Sequence, residues 1–181
     1  MILIRGFDRH ELFSSLEHRF GLRGICVAEY PMYRGLSRLL GMKVGPVPED
    51  IEASFEALAD LYRRDHDFFF LHFKKTDSSG EDGDFARKVE AIERVDRLIP
   101  PLVDLHPSVL VVTGDHSTPA RMASHSWHPV PLLLHSKLAL VDSVHTFDEC
   151  ACVNGALGIR PGLHLMGLAL AHAGKLKKYG A

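Results

Sequence analysis

Two continuous apolar runs constrain this chain more than any other feature. Asp67-Phe-Phe-Phe-Leu-His-Phe73 and Ser108-Val-Leu-Val-Val-Thr113 show no apolar–polar alternation. Strands apolar at successive positions are covered on both faces, as in parallel sheets held between helices. Helical periodicity fills the segments between them. Ile51, Phe55, Leu58 and Tyr62 share one face of a helix predicted over Glu49 to Arg63, with Glu49, Asp50 and Glu52 at its positive end. Val89, Ile92, Val95 and Ile99 do the same for Phe85 to Ile99, and Pro100-Pro101 is read as its stop. Further helices are predicted over residues 10–20, with Gly21 as the stop, over Pro31 to Leu40, and over Leu163 to Ala173, ended by Gly174. Ile2 to Arg5, Gly24 to Ala28 and residues 130–135 read as strands. Residues 42–48 read as a connection or irregular strand, and Val144 to Cys152 as loop or short helix. Lys74 to Asp84 reads as a polar, acidic loop. The alternation predicts an α/β fold with a mostly parallel sheet.

The length of 181 residues is read as one domain spanning residues 1–181. Lys plus Arg is 21 against 23 Asp plus Glu, a formal charge of −2. So even a balance argues against a chain that wraps nucleic acid or coats an anionic membrane. No apolar run approaches the roughly 18 residues of a membrane span. No basic segment precedes an apolar one at the N-terminus, so no signal peptide is expected. The three cysteines, Cys26, Cys150 and Cys152, are few and odd in number, which predicts a reducing, cytoplasmic compartment.

Ligands in open α/β sheets bind outside the carboxyl ends of the strands, and both apolar runs lead into polar loops. Asp115-His116 puts a carboxylate beside an imidazole at a strand end, a donor mix that suits Zn²⁺ or Mn²⁺ better than Mg²⁺ or Ca²⁺. Asp77, Glu81 and His125 offer a second such set. Two metals would hold and polarise a phosphoryl oxygen. The plainer alternatives are a turn capped by Asp115, and Asp82 and Asp84 as solvated residues or the cap of the helix at Phe85. Cys150 and Cys152 form a single C-x-C, better read as free thiols than as zinc ligands. His106, His128, His135, His145, His164 and His172 follow no ligand spacing.

Val111-Val-Thr-Gly-Asp-His-Ser-Thr-Pro119, trailed by His125-Ser and Pro129-Val-Pro131, resembles the cofactor-independent phosphoglycerate mutases, and among them the archaeal-type branch within the alkaline phosphatase superfamily. The similarity runs through Gly21-Leu-Arg-Gly24, Tyr33 to Met42, His72 to Asp77, Asp82-Gly-Asp84, Phe147 to Cys152, Gly155 to Gly158 and Lys178 to Ala181. It implies a three-layer α/β/α sandwich and a two-metal phosphoryl transfer. Enzymes of that family interconvert 3-phosphoglycerate and 2-phosphoglycerate through a phosphoserine, in glycolysis and gluconeogenesis. By position, Asp115 and His116 match ligands of one metal, and Asp77 and His125 ligands of the other. His72 and Lys74 share the Asp77 motif and match substrate or phosphate contacts, as do the basic residues Arg5 and Arg34. The implied cofactors are two divalent ions, Mn²⁺ first, with Mg²⁺, Zn²⁺ or Co²⁺ as alternatives.

Two departures from the family pattern matter. Glu81 stands where the motif has His, which makes the site harder and more anionic if Glu81 ligates, or degrades it if not. The chain also begins after the family's first-strand Asp and its nucleophilic Ser. No residue of this chain sits in the nucleophile's context, so an isolated chain is expected to be inactive without a partner that supplies it. Three readings stay open. The chain is the C-terminal metal-binding part of such a mutase, or a non-catalytic metal-binding or interaction module on the same scaffold, or part of a metal-dependent phosphatase or phosphodiesterase. A sheet lacking its first strand predicts an exposed apolar edge, covered by self-association or by an N-terminal partner chain.

Overall fold

The computed structural model describes residues 13–62 and 64–176. The expected strand at Ile2 to Arg5, and Arg5 as a phosphate contact, lie outside the described residues. The chain divides into two compact units, the first ending at Lys74 and the second beginning at Lys75.

The first unit is built on a three-stranded parallel sheet. Helix α1 (Leu16–Phe20) precedes strand β1 (Gly24–Ala28), helix α2 (Pro31–Leu39), strand β2 (Lys43–Val44), helix α3 (Ile51–Tyr62) and strand β3 (Phe68–His72). The strand order is β2-β1-β3, so β1 is central. Every residue of β1 is buried, with Cys26 and Val27 closed off from solvent almost completely. Leu16, Leu22, Met42, Ile51, Phe55 and Leu58 complete this core. The predicted apolar face of α3 is therefore the face it buries. Strand β3, with β1 on one side only, is half-buried along its length rather than fully covered.

Helix α1 is shorter than the periodicity of residues 10–20 suggests. It begins where the Ser15 hydroxyl accepts from the His18 amide and ends at Gly21, whose φ of 67° only glycine adopts cheaply. Arg23 pairs with Asp65 and, at 2.8 Å, with Asp67.

The second unit contains helices α4 (Lys75–Glu81), α5 (Phe85–Asp96) and α6 (Ile99–Val103), then strands β4 (Val109–Thr113) and β5 (Leu132–Ser136). Helix α7 (Glu149–Cys152), a 3₁₀ turn (Gly162–His164) and helix α8 (Leu165–His172) follow. Strands β4 and β5 pair antiparallel, Val109 opposite Ser136 through Thr113 opposite Leu132. The connection between them returns as a loop rather than as the helical crossover that a parallel pair requires. Two of the three strand pairings among the described residues are parallel, so the fold is α/β with mostly parallel pairing.

Three local expectations are corrected. The segment Lys74 to Asp84 is not an extended loop but holds α4. Asp77 lies in that helix's first turn, where its charge suits the dipole, and Gly83, at φ 70°, turns the chain out of it. Pro100 and Pro101 do not simply stop a helix. They occupy the first turn of α6, where a missing N–H costs nothing. Helix α5 buries Ala91 rather than Ile92, which is 49% exposed. Its start is capped as expected, the Asp84 carboxylate accepting from the Arg87 amide at 3.0 Å.

Candidate metal centre

Three chain segments of the second unit converge on one point. Helix α4 brings Asp77 and Glu81, one turn apart on the same face. The loop leaving β4 brings Asp115, His116 and Thr118. The segment beyond it brings His125. An isolated bridge between Ser117 and Ser126 closes that loop, with the Ser126 amide donating to the Ser117 carbonyl at 2.9 Å. The Ser117 hydroxyl donates to the His128 carbonyl at 3.0 Å. The closure sets the rings of His116 and His125 against each other, centroids 4.0 Å apart and tilted by 38°.

Asp77, His116 and His125 each offer one ligand atom, and these atoms all lie within 4.8 Å of one another. Asp77 Oδ1 is 3.8 Å from His116 Nδ1 and 3.7 Å from His125 Nε2. Glu81 Oε1 stands 3.3 Å from His125 Nε2. Asp115 Oδ2 stands 3.6 Å from His116 Nε2. Exposure is graded across the group: the Asp77 side chain is 13% exposed, His116 33% and His125 56%. A half-buried carboxylate with imidazoles open to solvent suits a mid-series divalent ion approached from one side. The donor set fits such ions, and Asp77, His116 and His125, together with Glu81 and Asp115, are the residues that would hold them. Metal bound there would supply Lewis acidity.

All five expected ligands thus belong to this neighbourhood. The expected substrate contacts belong to the first unit. His72 ends β3 and stacks on Tyr33, ring centroids 3.9 Å apart. Lys74 Nζ lies 5.3 Å above the Tyr30 ring. The Arg34 guanidinium donates to three backbone carbonyls, those of Ala28, Gly45 and Pro46, at 3.1, 3.1 and 3.2 Å. Arg34 therefore closes the carboxyl end of β1 against the β2 exit.

Three residues that sequence reasoning did not single out support the centre. Thr118, 4% exposed, donates its hydroxyl to Asp77 Oδ1 and touches His116 Nδ1 at 3.1 Å. Lys88 Nζ donates to the Thr118 carbonyl at 2.7 Å. Burial lowers the Lys88 pKa, opposed by the charges of Asp77 and Glu149. Gly80 lets α4 approach that same carbonyl. Thr118 sits inside the quoted motif, but nothing in its spacing separates a supporting hydroxyl from a loop hydroxyl. Trp127, next to the site loop, is 83% exposed and stacks on His128.

A family model described as "Metalloenzyme superfamily" matches residues 2–172. The chain belongs to the metalloenzyme superfamily. Membership implies binding of divalent metal, consistent with the donor set just described. Among curated relatives, a probable 2,3-bisphosphoglycerate-independent phosphoglycerate mutase of Deinococcus radiodurans is 49% identical over 183 residues, covering 99% of this chain and 44% of the relative. A protein of the same name from Thermotoga maritima is 46% identical over 179 residues, with the same coverage. Two solved structures share the fold. The PH0037 protein from Pyrococcus horikoshii superposes with a TM-score of 0.87 at 31% identity, over 93% of this chain and 54% of that one. The cofactor-independent phosphoglycerate mutase from Thermoplasma acidophilum superposes with a TM-score of 0.71 at 28% identity, over 89% of this chain and 39% of that one. This member of the metalloenzyme superfamily therefore spans less than half the length of the curated relatives it matches. Among the described residues, no helix is long and apolar enough to cross a membrane.

Proposed function

We propose that this chain supplies the metal-binding part of a 2,3-bisphosphoglycerate-independent phosphoglycerate mutase. The reaction is the interconversion of 3-phosphoglycerate and 2-phosphoglycerate by two-metal phosphoryl transfer. Residues 1–181 act as one functional unit in it, working in the cytoplasm. The observation that carries this reading is the convergence of Asp77, His116 and His125 in a chain whose curated relatives bear that mutase's name. Asp115 and His116 serve one ion, Asp77 and His125 the other, with Glu81 as an added oxygen donor. Mn²⁺ is the first choice, because a mixed oxygen and imidazole set accepts it readily. His72 and Lys74 contact substrate or phosphate.

Ser117 is not the nucleophile in this reading, because its hydroxyl proton is directed to the His128 carbonyl, which cannot act as a general base. The phosphoryl acceptor lies outside residues 1–181, on a segment or partner chain docked along an open sheet edge. Without it, residues 1–181 bind metal and do not turn over. The same use of Ser117 favours a second reading, a non-catalytic metal-binding module.

The deciding experiment is Mn²⁺ titration by calorimetry of the purified chain and of Asp115→Ala, followed by a mutase assay with 3-phosphoglycerate. Mn²⁺ binding weakened tenfold or more in the variant supports the metal assignment. Absence of binding in the parent overturns it. Mutase turnover that appears only when a second chain is added decides for the mutase over the module.

A further inference from the structure

The hydrogen bonds around Thr118 carry a consequence for His116, and it rests on the metal-centre reading above. Asp77 is a carboxylate, an acceptor with no proton to give. The Thr118 hydroxyl has one proton, and it goes to Asp77 Oδ1. Against His116 Nδ1, 3.1 Å away, the same oxygen is left only to accept. The neutral ring then carries its proton on Nδ1, and the lone pair sits on Nε2. Nε2 is the atom 3.6 Å from Asp115 Oδ2, on the other side of the ring from Thr118. We propose that Thr118 is a positioning residue that fixes His116 as the Nδ1–H tautomer, so that Nε2 is its ligating atom and pairs with Asp115.

Two further contacts hold the hydroxyl in place. Thr118 is buried, and its carbonyl accepts from Lys88 Nζ at 2.7 Å. Gly80 packs on that carbonyl so closely that a Cβ there would lie 2.2 Å from it. The residue is therefore held through its backbone from α4 and α5, while its side chain faces the ligands. Metal-binding imidazoles are commonly oriented this way, through the ring nitrogen that does not meet the ion. The hydroxyl in turn ties the ring to Asp77, a carboxylate assigned to the other ion, so the two ion positions share one proton-ordered chain.

The test compares the full chain with Thr118→Val, which keeps the shape and loses the hydroxyl, and Thr118→Ser, which keeps the hydroxyl. The first readout needs no metal: nitrogen chemical shifts of the His116 ring at mildly alkaline pH, which distinguish the two tautomers. The parent and Thr118→Ser are expected to show Nδ1–H, and Thr118→Val to move toward Nε2–H. The second readout is Mn²⁺ affinity by calorimetry, expected to fall about tenfold or more in Thr118→Val and to recover in Thr118→Ser. Nε2–H in the parent overturns the proposal, as does a Thr118→Val chain with tautomer and affinity unchanged. A parent that shows Nδ1–H and binds no Mn²⁺ sinks the metal reading while the hold of Thr118 on the ring stands. Circular dichroism on each variant identifies a fold failure, and Thr118→Ser then carries the comparison.

Discussion

A Cβ placed on Gly80 would stand 2.2 Å from the carbonyl oxygen of Thr118, and 3.1 Å from Lys88 Nζ. Helix α4 and the loop after β4 therefore touch backbone to backbone, and this contact sets the distance between Asp77 and the two imidazoles. Gly80→Ala is expected to cost about 1–3 kcal/mol, because neither backbone can yield without moving Asp77 or His116. Gly167 in α8 has nothing near its Cβ position. Gly167→Ala is expected to be neutral or to stabilise by up to about 1 kcal/mol. Urea unfolding of the two variants, side by side, checks the contrast.

Lys88 gives the Thr118 carbonyl its charged donor. Lys88→Met keeps the stem and removes the ammonium. The expected loss is about 1.5–3 kcal/mol, the range for a hydrogen bond to a charged group. Thermal melts read the stability. Mn²⁺ titration of the same variant should show weaker binding, because Thr118 would be less firmly held.

Glu81 lies 3.3 Å from His125 Nε2, close enough to share an ion with it. Glu81→His exchanges a hard oxygen for a nitrogen. The expected outcome is a shift in relative affinity toward Zn²⁺ and away from Mn²⁺. Competition calorimetry with the two ions measures it. An unchanged ratio would mean that Glu81 does not reach the metal.

Asp142 holds the amides of Val144 and Ala156, and these bonds lower its pKa. The Ala151 amide does the same for Asp148 at the start of α7. A carboxylate with a lowered folded pKa contributes stability that is fully present above its unfolded value. That stability is lost as pH falls through the folded value. The segment from Asp142 to Gly158 should therefore hold through mild acidification and loosen only as pH falls below the ordinary carboxylate range, ahead of β1 and its neighbours. Asp142→Asn should flatten that pH dependence. Amide hydrogen exchange between neutral and acidic pH, followed by segment, is the check.

Much of the first unit could be read directly from the residues. Gly24 to Ala28, Pro31 onward and the Ile51–Phe55–Leu58 face are apolar at spacings that admit one answer. The misreadings have a common cause. Asp77-Ser-Ser-Gly-Glu81 looks like a loop because Ser and Gly are weak helix formers, yet the helix exists because Gly80 fits against Thr118. The direction of β5 depends on how the loop from Gly114 to Pro131 returns, and no single residue encodes that. In the site, Asp77, His116 and His125 were legible because their chemistry is in the side chain. Thr118 and Lys88 were not, since each acts through a partner distant in sequence.

The bridge between Ser117 and Ser126 has a kinetic meaning. It closes a short loop, which costs little conformational entropy, and each imidazole stands next to one of the two closing residues. The ring pair can thus assemble as soon as the loop closes, before α4 docks. Asp77 and Glu81 come from one helical face outside that loop. A divalent ion bound between them should slow the departure of α4 more than it speeds the making of the loop.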